Sequence, residues 1–506
     1  MKSPRTRFLL LFLLALVFSP WSRAALSWDS LDPRSREMLA DTLKFSDGYW
    51  DESVGLLRSP APGESHLHRT RESTWYALGL MIRNAPGDDT RALRILELVL
   101  AHQLDTPGQV WDGTYRRFLQ EPVPSADAVL WRDFDPNWRH FIGITFALIL
   151  TEFEPRLPAG LPARLLDSIR RGVEGELNHG RAEPYHTNIK LMHGFLWGWT
   201  GARINRPDWV EGADGWARDV AAAFAVHETF EEYNSPTYYG VDLYGLALWR
   251  RHGATETVRR LGAEMEAGLW RDIARFYHAG LRNLAGPYDR AYGVDMRTHV
   301  SLTGAWMGLA LEKSLTPLPD PAGPMGHAHD FVCIPSYVAL GVQVPPEVLV
   351  SFREYQGDRQ LERIITPERR ATAWITRDLM IGGEITTLTR DAGAGTNYGQ
   401  FHPAAVHWRV GSADVGWFAI TQSPRIDARA EPGRLVVVTT AGDTRLRLGA
   451  PGLLPSMITR DAWALPELGV KIDTDATAIA VETVGAYVEV VYRGATRLTF
   501  EIARRP

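Results

Sequence analysis

The segment from 227 to 245 places glutamates, an Asn-Ser-Pro step and several tyrosines within nineteen positions. Ser235 is a typical helix N-cap and Pro236 a typical first helical residue, which predicts Tyr238 and Tyr239 in the first turn of a helix. A phenol can give or take a proton when a nearby cation and a cleft of low dielectric bring its pKa closer to working pH. The pattern therefore indicates acid–base chemistry, with Tyr238 as the first choice and Tyr239 as the second.

Other stretches also place polar side chains where a helix begins. In "DFDPNWRHF", Asp135 is expected as the N-cap and Pro136 as the first helical residue. In "PYHTNIKLMHGF" the helix is expected to start near Thr187, with Asn188 in its first turn. Helix N-termini carry unpaired backbone N–H groups and partial positive charge, which suits a carboxylate ligand. The candidates from these starts and from the loop "NLAGPYDRAYG" are Asn137, Trp138, Arg139, His140, Asn188, Tyr288, Arg290 and Tyr292.

Helical geometry separates the candidates around Asn188. At 100° per residue, His186, Lys190 and His193 would share one face, and Asn188 would lie well away from it. Because only residues near the helix start are sure to reach the mouth of a site, Asn188 ranks above His193. His193 is either a partner base or a hydrogen-bonded histidine of the core.

The elements that position these residues change in character along the chain. From about residue 28 to 350, apolar residues recur at three- and four-residue spacing, which predicts amphipathic or wholly buried helices. After about Pro345, short β-rich runs with alternating polarity and Gly/Asp turns predict an antiparallel sandwich. We therefore expect a helical domain over residues 25–345 and a β-sandwich domain over 346–506.

Bulk composition excludes several classes of protein. Hydrophobic residues make up 45% of the 506 and charged residues 23%, which is ordinary for a globular chain and argues against disorder. The net charge of -5 excludes a broadly basic nucleic-acid binder but allows local positive sites for an anionic substrate. The lone Cys333 cannot form an internal disulfide, and we expect it to be buried and inert.

The first 24 residues predict export. Lys2, Arg5 and Arg7 precede an apolar run from Phe8 to Phe18 that is too short to span a bilayer comfortably, and a small-residue exit follows near Ala24. This pattern is typical of a secretory signal peptide, with an uncleaved anchor as the alternative. The folded part is expected in the periplasm or outside the cell, with no further membrane segment.

With these stretches in hand, the chain resembles polysaccharide lyases of the heparinase and alginate-lyase type. The run from Glu232 to Tyr238 is similar to the family's acidic-x-x-Ser-Pro-x-Tyr motif, whose tyrosine is the catalytic acid and often the base. Within this run, Glu232 and Asn234 are candidates for contact with substrate. Asn188 is similar to the family's uronate-binding asparagine, and "TNYGQFHPAAVHW" is similar to the strand that would bring His402 to the cleft. The resemblance implies an N-terminal (α/α) toroid, an incomplete barrel, followed by an antiparallel β-sandwich.

Two departures from the family pattern concern the base and a metal. Tyr239 stands where many relatives have histidine, and Pro403 stands where relatives with a sandwich metal have aspartate. His402 and His407 are an odd number apart, so in a regular strand they point to opposite faces. The "HAHD" run at 327–330 is the other dense ligand cluster, and a loop that caps a helix is the simpler interpretation. We expect no metal and no cofactor.

The reaction implied by the resemblance is β-elimination on a uronic acid in an anionic polysaccharide or oligosaccharide. The enzyme must neutralise the uronate carboxylate, remove the proton on C5 and protonate the oxygen that leaves C4. Asn188 and Arg290 are the candidates for neutralisation, and His186, His193 and His402 are the candidates for a base that partners the tyrosine. Alternatives are a glycoside hydrolase in which Glu232 pairs with Asp289 or Asp135, a C5 epimerase, or a glycan-binding protein without activity. The oligomeric state is not predicted.

Overall fold

The computed structural model describes residues 26–180, 183, 187–393 and 400–505, so the predicted signal peptide and His186 lie outside the described residues. In these ranges no helix is both long enough and apolar enough to cross a membrane. The helices are α1 (Pro33–Tyr49), α2 (Thr70–Arg83), α3 (Asp88–Leu100), α4 (Trp138–Phe153), α5 (Leu161–His179), α6 (Thr187–Arg203), α7 (Pro207–His227), α8 (Tyr238–His252), α9 (Glu256–Phe276), α10 (Leu302–Ala310), α11 (Ile334–Leu340) and α12 (Pro346–Arg353).

These helices form two concentric layers, which is the arrangement of an (α/α) toroid. The inner helices α2, α4, α6 and α8 pack side by side, α10 follows α8, and α11 contacts both α8 and α2. The outer helices α3, α5, α7 and α9 each pack against the inner helix that precedes them. An inner helix such as α4 is buried along nearly its whole length. By contrast, α5 buries a stripe at four-residue spacing: Leu161, Leu165, Ile169 and Val173.

Close contact between two inner helices depends on a glycine. A Cβ atom at Gly240 on α8 would lie 2.2 Å from the backbone carbon of Leu302, at the start of α10. Any larger residue would therefore push these helices apart at the level where α8 begins. The site described below lies at that level.

Most strands of the described residues belong to one antiparallel sheet. The strands are β1 (Trp50–Asp51), β2 (Leu56–Arg58), β3 (His68–Arg69), β4 (Tyr277–His278), β5 (Asn283–Leu284), β6 (Arg359–Thr366), β7 (Arg369–Thr376), β8 (Leu379–Ile385), β9 (Ala404–Val410), β10 (Asp414–Gln422), β11 (Ile426–Glu431), β12 (Arg434–Gly449), β13 (Ala462–Leu465), β14 (Leu468–Thr474), β15 (Ala478–Val484) and β16 (Tyr487–Arg504). The path of the large sheet runs β13-β14-β16-β12-β10-β9-β8-β7-β6, with β11 paired to β12 and β15 paired to β16.

A bulge turns this sheet into a sandwich. The register of β12 against β16 shifts between Val438 and Thr444, and a bulge of this kind bends a strand. The first half of β12 pairs with β11 and the second half with β10, while β11 packs against β7 and β8. A separate core lies between the layers, where the Trp463 ring lies 5.3 Å from that of Phe418 and 5.5 Å from that of Phe500. The predicted β-sandwich is confirmed.

The other face of the sandwich packs on the helical domain. Apolar residues of β7, β8, β9 and β10 belong to the same core as the inner helices. A Cβ atom at Gly382 on β8 would lie 1.7 Å from the carbonyl oxygen of Gly286, so the two main chains meet with no room for a side chain. Tyr288 and His402 pair through their backbones, with N–H···O distances of 3.0 and 2.9 Å. The predicted boundary at 345 falls just before α12, and the large sheet begins at Arg359.

Two helices begin later than the capping pattern predicted. The N-cap of α4 is Asn137 and not Asp135, whose carboxylate instead accepts from the Asn137 N–H at 2.8 Å. The helix α8 begins at Tyr238 with Thr237 as its N-cap, although Ser235 Oγ does accept the Tyr238 N–H at 2.9 Å. In both cases the Pro lies before the first helical turn. The start of α6 at Thr187 agrees with the prediction.

Candidate active site

A cavity of about 1120 Å³ lies where the helical domain meets the sandwich. The beginnings of α2, α4, α6 and α8 reach it from one side, and the sandwich contributes residues around β9, β10 and β12. Candidates predicted from the sequence that line this cavity are Asn137, Trp138, Asn188, Tyr238, Arg290, Tyr292 and His402. The expectation that helix N-termini converge on one site therefore agrees with the structure.

Arg290 connects the two sides of the cavity. Its Nη1 donates to Glu232 Oε1, its Nη2 donates to the Tyr238 hydroxyl at 2.6 Å, and its Nε donates to Gln400 Oε1 at 2.9 Å. The guanidinium also lies over the Tyr238 ring, 3.8 Å from its centroid. Since each of its nitrogens has a partner, the guanidinium is fixed in position relative to both domains.

The Tyr238 hydroxyl lies among polar groups at the cavity wall. Besides the bond from Arg290, it shares a hydrogen bond of 2.7 Å with the Tyr292 hydroxyl. Burial raises the pKa of Tyr238 well above its ordinary value, and the neighbouring Arg290 cation offsets this only in part. The expectation that the cation and the cleft bring this pKa closer to neutral is therefore wrong, because desolvation is the larger effect. Tyr238 is a protonated phenol at neutral pH.

Asn188 and Glu232 form the base of the site. The Asn188 Nδ2 donates to Glu232 Oε2 at 2.7 Å, while the other carboxylate oxygen of Glu232 accepts from Arg290. Glu232 therefore orients both neighbours and compensates the arginine charge. An amide nitrogen carries two protons, so Asn188, which is buried and lines the cavity, keeps one N–H for a ligand.

The sandwich supplies Gln400 and His402. Gln400 lines the cavity and uses its carbonyl oxygen to accept from Arg290, so this bond leaves its NH₂ group able to donate to a ligand. The Nδ1 of His402 lies 3.2 Å from the carbonyl oxygen of Ile420. Burial lowers the pKa of His402, and hydrogen bonds to the carbonyls of Ile420 and Ala291 offset part of that effect. His402 is therefore a neutral imidazole, and the Ile420 carbonyl is positioned to accept a hydrogen bond from its protonated form.

Further cations line the cavity at other points. Arg445 and Arg447 on β12 share the single carboxylate of Glu489, which leaves a net positive charge there. On the helical side, Arg71 pairs with Glu72 at 2.6 Å, and its guanidinium lies 4.4 to 5.1 Å from the ring centroids of Trp75, Trp138 and Phe141. Although the whole chain carries -5, this cavity is suited to an anionic ligand.

Tyr239 does not reach the cavity. It is 1% exposed, and its hydroxyl bonds to Thr229 Oγ1 at 2.7 Å and donates to Asp272 Oδ2 at 3.1 Å. The Asp272 carboxylate in turn accepts from Arg363 on β6 at 2.9 Å. The expectation that both tyrosines lie at the mouth fails because consecutive helical residues point about 100° apart.

Three other candidates from the helical domain belong to its interior. Arg139 and His140 are 2% and 1% exposed, and Arg139 donates to the carbonyl oxygens of Pro136 and Val110. His193 stacks on Trp197 with ring centroids 5.6 Å apart, and burial lowers its pKa to about 4. None of the three lines the cavity, so the prediction that they face a ligand is corrected. Because α4 starts later than predicted, Arg139 and His140 turn inward.

Asn234 and Tyr288 also have structural positions. The Asn234 amide donates to the carbonyl oxygens of Ala285 and Pro287 at 2.6 and 2.8 Å, which fixes the loop that carries Arg290. The Tyr288 side chain is fully buried and donates to the Leu284 carbonyl at 2.5 Å. Their predicted contact with substrate is therefore corrected to an indirect one, through the main chain that positions Arg290 and His402.

Sequence reasoning missed residues that the structure brings to the cavity. Gln400 lies two residues before His402 in a quoted motif, and Arg71 precedes the apolar run of α2, but neither carries a local signal of its own. His327, His329 and Asp330, which the sequence marks as a dense ligand cluster and which were expected to cap a helix, also line the cavity. The left-handed φ of 56° at His327 is uncommon for a residue other than glycine. Cys333 is buried as predicted, and burial raises the pKa of its thiol.

The fold and the cavity define a two-domain chain, a helical toroid joined to a β-sandwich, with a polar site at the junction. The chain belongs to the family whose model is described as a domain of unknown function, DUF8769, and matches residues 36–342. A second model, also a domain of unknown function, DUF8770, matches residues 360–447. In sequence, no curated protein matches the chain.

Solved structures similar to this chain include heparinases. A heparinase III has a TM-score of 0.43 at 8% identity, with 94% of this chain and 85% of that chain covered. A second heparinase III gene product has a TM-score of 0.33 at 10% identity, with 94% and 84% covered. A heparan sulfate lyase from Pedobacter heparinus has a TM-score of 0.30 at 9% identity, with the same coverage of 94% and 84%. Because one architecture can host unrelated chemistries, function has to be argued from the side chains.

Proposed function

We propose that the chain is an exported polysaccharide lyase that cleaves a uronate-containing polysaccharide or oligosaccharide by β-elimination. The observation that carries the proposal is the Tyr238 hydroxyl, which Arg290 holds at 2.6 Å in the wall of a cavity lined by amides and cations. Export is proposed from the predicted signal peptide of residues 1–24.

Tyr238 acts as the general acid. Since its pKa lies well above the ordinary value, the phenol is protonated at neutral pH and can give its proton to the oxygen that leaves C4. Arg290 and the Tyr292 hydroxyl then stabilise the phenolate that forms, because both donate or can donate to its oxygen.

His402 acts as the general base. Burial lowers the pKa of the ring, which favours the neutral imidazole at rest. Nδ1 lies at the Ile420 carbonyl oxygen, so Nε2 is the nitrogen that removes the proton on C5. The Ile420 carbonyl accepts from Nδ1–H in the imidazolium that results. His186, the remaining candidate base, lies outside the described residues.

Asn188, Gln400 and Arg290 neutralise the uronate carboxylate. The amides of Asn188 and Gln400 each keep a donor for the ligand after meeting their protein partners. Arg290 pairs with Glu232, but three of its five N–H groups satisfy its protein partners, so the others can donate to the carboxylate. Hydrogen-bond donors at the carboxylate stabilise the enolate-like charge that develops there.

The glycoside hydrolase alternative has less support. Its proposed acids are occupied by protein partners: Glu232 by Arg290 and Asn188, and Asp289 by Arg369 and Arg390. Neither lines the cavity, whereas Asp135 does. A C5 epimerase would use the same proton abstraction without elimination, so the product distinguishes it from a lyase.

The test is an incubation of purified protein with a panel of uronate polysaccharides. A lyase produces a C4–C5 unsaturated uronate at each new non-reducing end, which is followed by its ultraviolet absorbance and by mass spectrometry. New reducing ends without unsaturation would replace the proposal with hydrolysis, and exchange of the C5 proton without cleavage would replace it with epimerisation. Binding without any product would indicate a glycan-binding protein.

A further inference from the structure

A group of imidazoles and one carboxylate lines the cavity next to Tyr292, the hydrogen-bond partner of Tyr238. One ligand atom each from His327, His329 and Asp330 lies within 4.8 Å of the others. His327 Nδ1 is 2.9 Å from Asp330 Oδ2, and His329 Nε2 is 3.7 Å from Asp330 Oδ1. Adjacent ligands of a tetrahedral zinc ion lie about 3.3 Å apart, given metal–ligand distances of about 2.0–2.2 Å. The distances between the ligand atoms of His327, His329 and Asp330 are therefore close to those between the ligands of a bound zinc ion.

His299 adds a second, independent observation. Its ring centroid lies 5.3 Å from that of His327. Its Nε2 is buried and has no hydrogen-bond partner among the residues that the structure describes. Its Nδ1 side lies against the backbone of Gly293 and Gly326, where added Cβ atoms would approach within 2.6 and 2.8 Å. A buried imidazole nitrogen without a partner is costly, so His299 is a further candidate group next to the three residues, although it lies outside the 4.8 Å group that they form.

The backbone also holds His327 in an unusual position. Its φ of 56° places it in the left-handed region, just before the short 3-10 helix Ala328–Cys333. Its ring stacks on Tyr292 with centroids 4.2 Å apart and planes 15° apart, and the ring of His329 lies 4.1 Å away. Left-handed conformations of residues other than glycine concentrate at functional sites. The left-handed backbone at His327 brings its imidazole and that of His329 close to the carboxylate of Asp330.

We propose that His327, His329 and Asp330, with His299 beside them, bind a divalent transition-metal cation of the zinc class. Imidazole nitrogens with one carboxylate are typical zinc ligands and poor ligands for calcium or magnesium, which prefer oxygen. Arg71 is the nearest competing cation, with Nη2 3.8 Å from Asp330 Oδ1, but its shorter pair is with Glu72 at 2.6 Å. The proposal reverses the sequence expectation of no metal and does not depend on the lyase function.

Isothermal titration calorimetry tests the site by measuring the binding of Zn²⁺ to the full chain after treatment with a chelator. The expected result is saturable binding of one equivalent, with no comparable signal from Ca²⁺. The His329→Ala variant should bind at least tenfold more weakly. The matched control is His66→Ala, because His66 is exposed and does not line the cavity, and its titration should match that of the wild type.

A spectroscopic measurement covers the case in which a variant fails to fold. Addition of Co²⁺ to the wild-type chain should give a visible absorption spectrum of nitrogen and oxygen ligation that saturates at one equivalent. Zinc should also raise the midpoint of thermal unfolding, because a ligand that binds only the folded state stabilises it. Absence of saturable Zn²⁺ binding by the wild type would overturn the proposal. Undiminished binding by a folded His329→Ala variant would also overturn it.

Discussion

Two clusters around neighbouring tyrosines contain the same kinds of residue in different surroundings. The Tyr238 cluster comprises Tyr238, Arg290, Glu232 and Asn188, and all of its members except Glu232 line the cavity. The Tyr239 cluster comprises Tyr239, Thr229, Asp272 and Arg363, and it is buried where the helical domain meets β6. Each has a phenol, a carboxylate and an arginine. Access to a ligand, and not residue type, separates a candidate active site from a structural network.

The largest effect is expected from Tyr238→Phe. This change removes the proposed acid but keeps the ring under Arg290, and loss of a general acid costs about 10²- to 10⁴-fold in rate. We expect kcat for formation of unsaturated product to fall about 10³-fold, with ligand binding retained. The matched control is Tyr239→Phe, whose kcat should remain within a few-fold of wild type. Equal losses in the two variants would remove the distinction between the clusters.

A stability effect is expected from Asp272→Ala in the Tyr239 cluster. The change leaves the guanidinium of Arg363 without its carboxylate partner near the domain junction, and breaking a buried pair in this way costs about 3 kcal/mol or more. The free energy of unfolding, measured in urea, should fall by about that amount, while the folded protein keeps its kcat. A folded Asp272→Ala variant with wild-type stability but no activity would assign this cluster to catalysis.

A smaller effect on rate is expected from Glu232→Ala in the Tyr238 cluster. Without the carboxylate, Arg290 and Asn188 lose their common partner, and misplaced groups cost about 10²-fold in rate. We expect kcat/KM to fall by about that factor. Glu231→Ala is the control, because Glu231 is exposed and uses its backbone carbonyl to accept from Arg369. An unchanged kcat/KM in Glu232→Ala would mean that Arg290 is positioned by Gln400 and the main chain alone.

The smallest effect is expected in the pH profile. Burial lowers the pKa of His402 below the ordinary value of 6.5, so the base stays neutral as pH falls through that value. The kcat/KM should therefore remain level near pH 6.5 and decline only at lower pH. On the alkaline side the raised pKa of Tyr238 predicts no loss of the acid below about pH 10. A decline with a midpoint at or above 6.5 would exclude His402 as the base.

The sequence predicts the two domains because the spacing of apolar residues changes near residue 345. Before that point the three- and four-residue spacing indicates helices with one buried face, and after it the alternation indicates strands with one buried face. The sequence also predicts Asn188, Tyr238 and Arg290 as site residues from a motif or a helix start, and all three line the same cavity. It ranks Tyr238 above Tyr239 but places both at the mouth of the site, although consecutive helical residues point about 100° apart. Gln400 and Arg71 carry no local signal. They become part of the site only when strands and helices distant in the chain meet.

The backbone pairing between Tyr288 and His402 has a consequence for how the site tolerates change. The pairing uses main-chain N–H and C=O groups, which every residue type except proline supplies in full. The position of His402 beside the cavity therefore does not depend on the side chains at the contact between the two domains. Related proteins can differ at most residues around His402 and still hold the imidazole of this histidine at the same position. A proline at either position would uncouple the sandwich's histidine from the loop that carries Arg290.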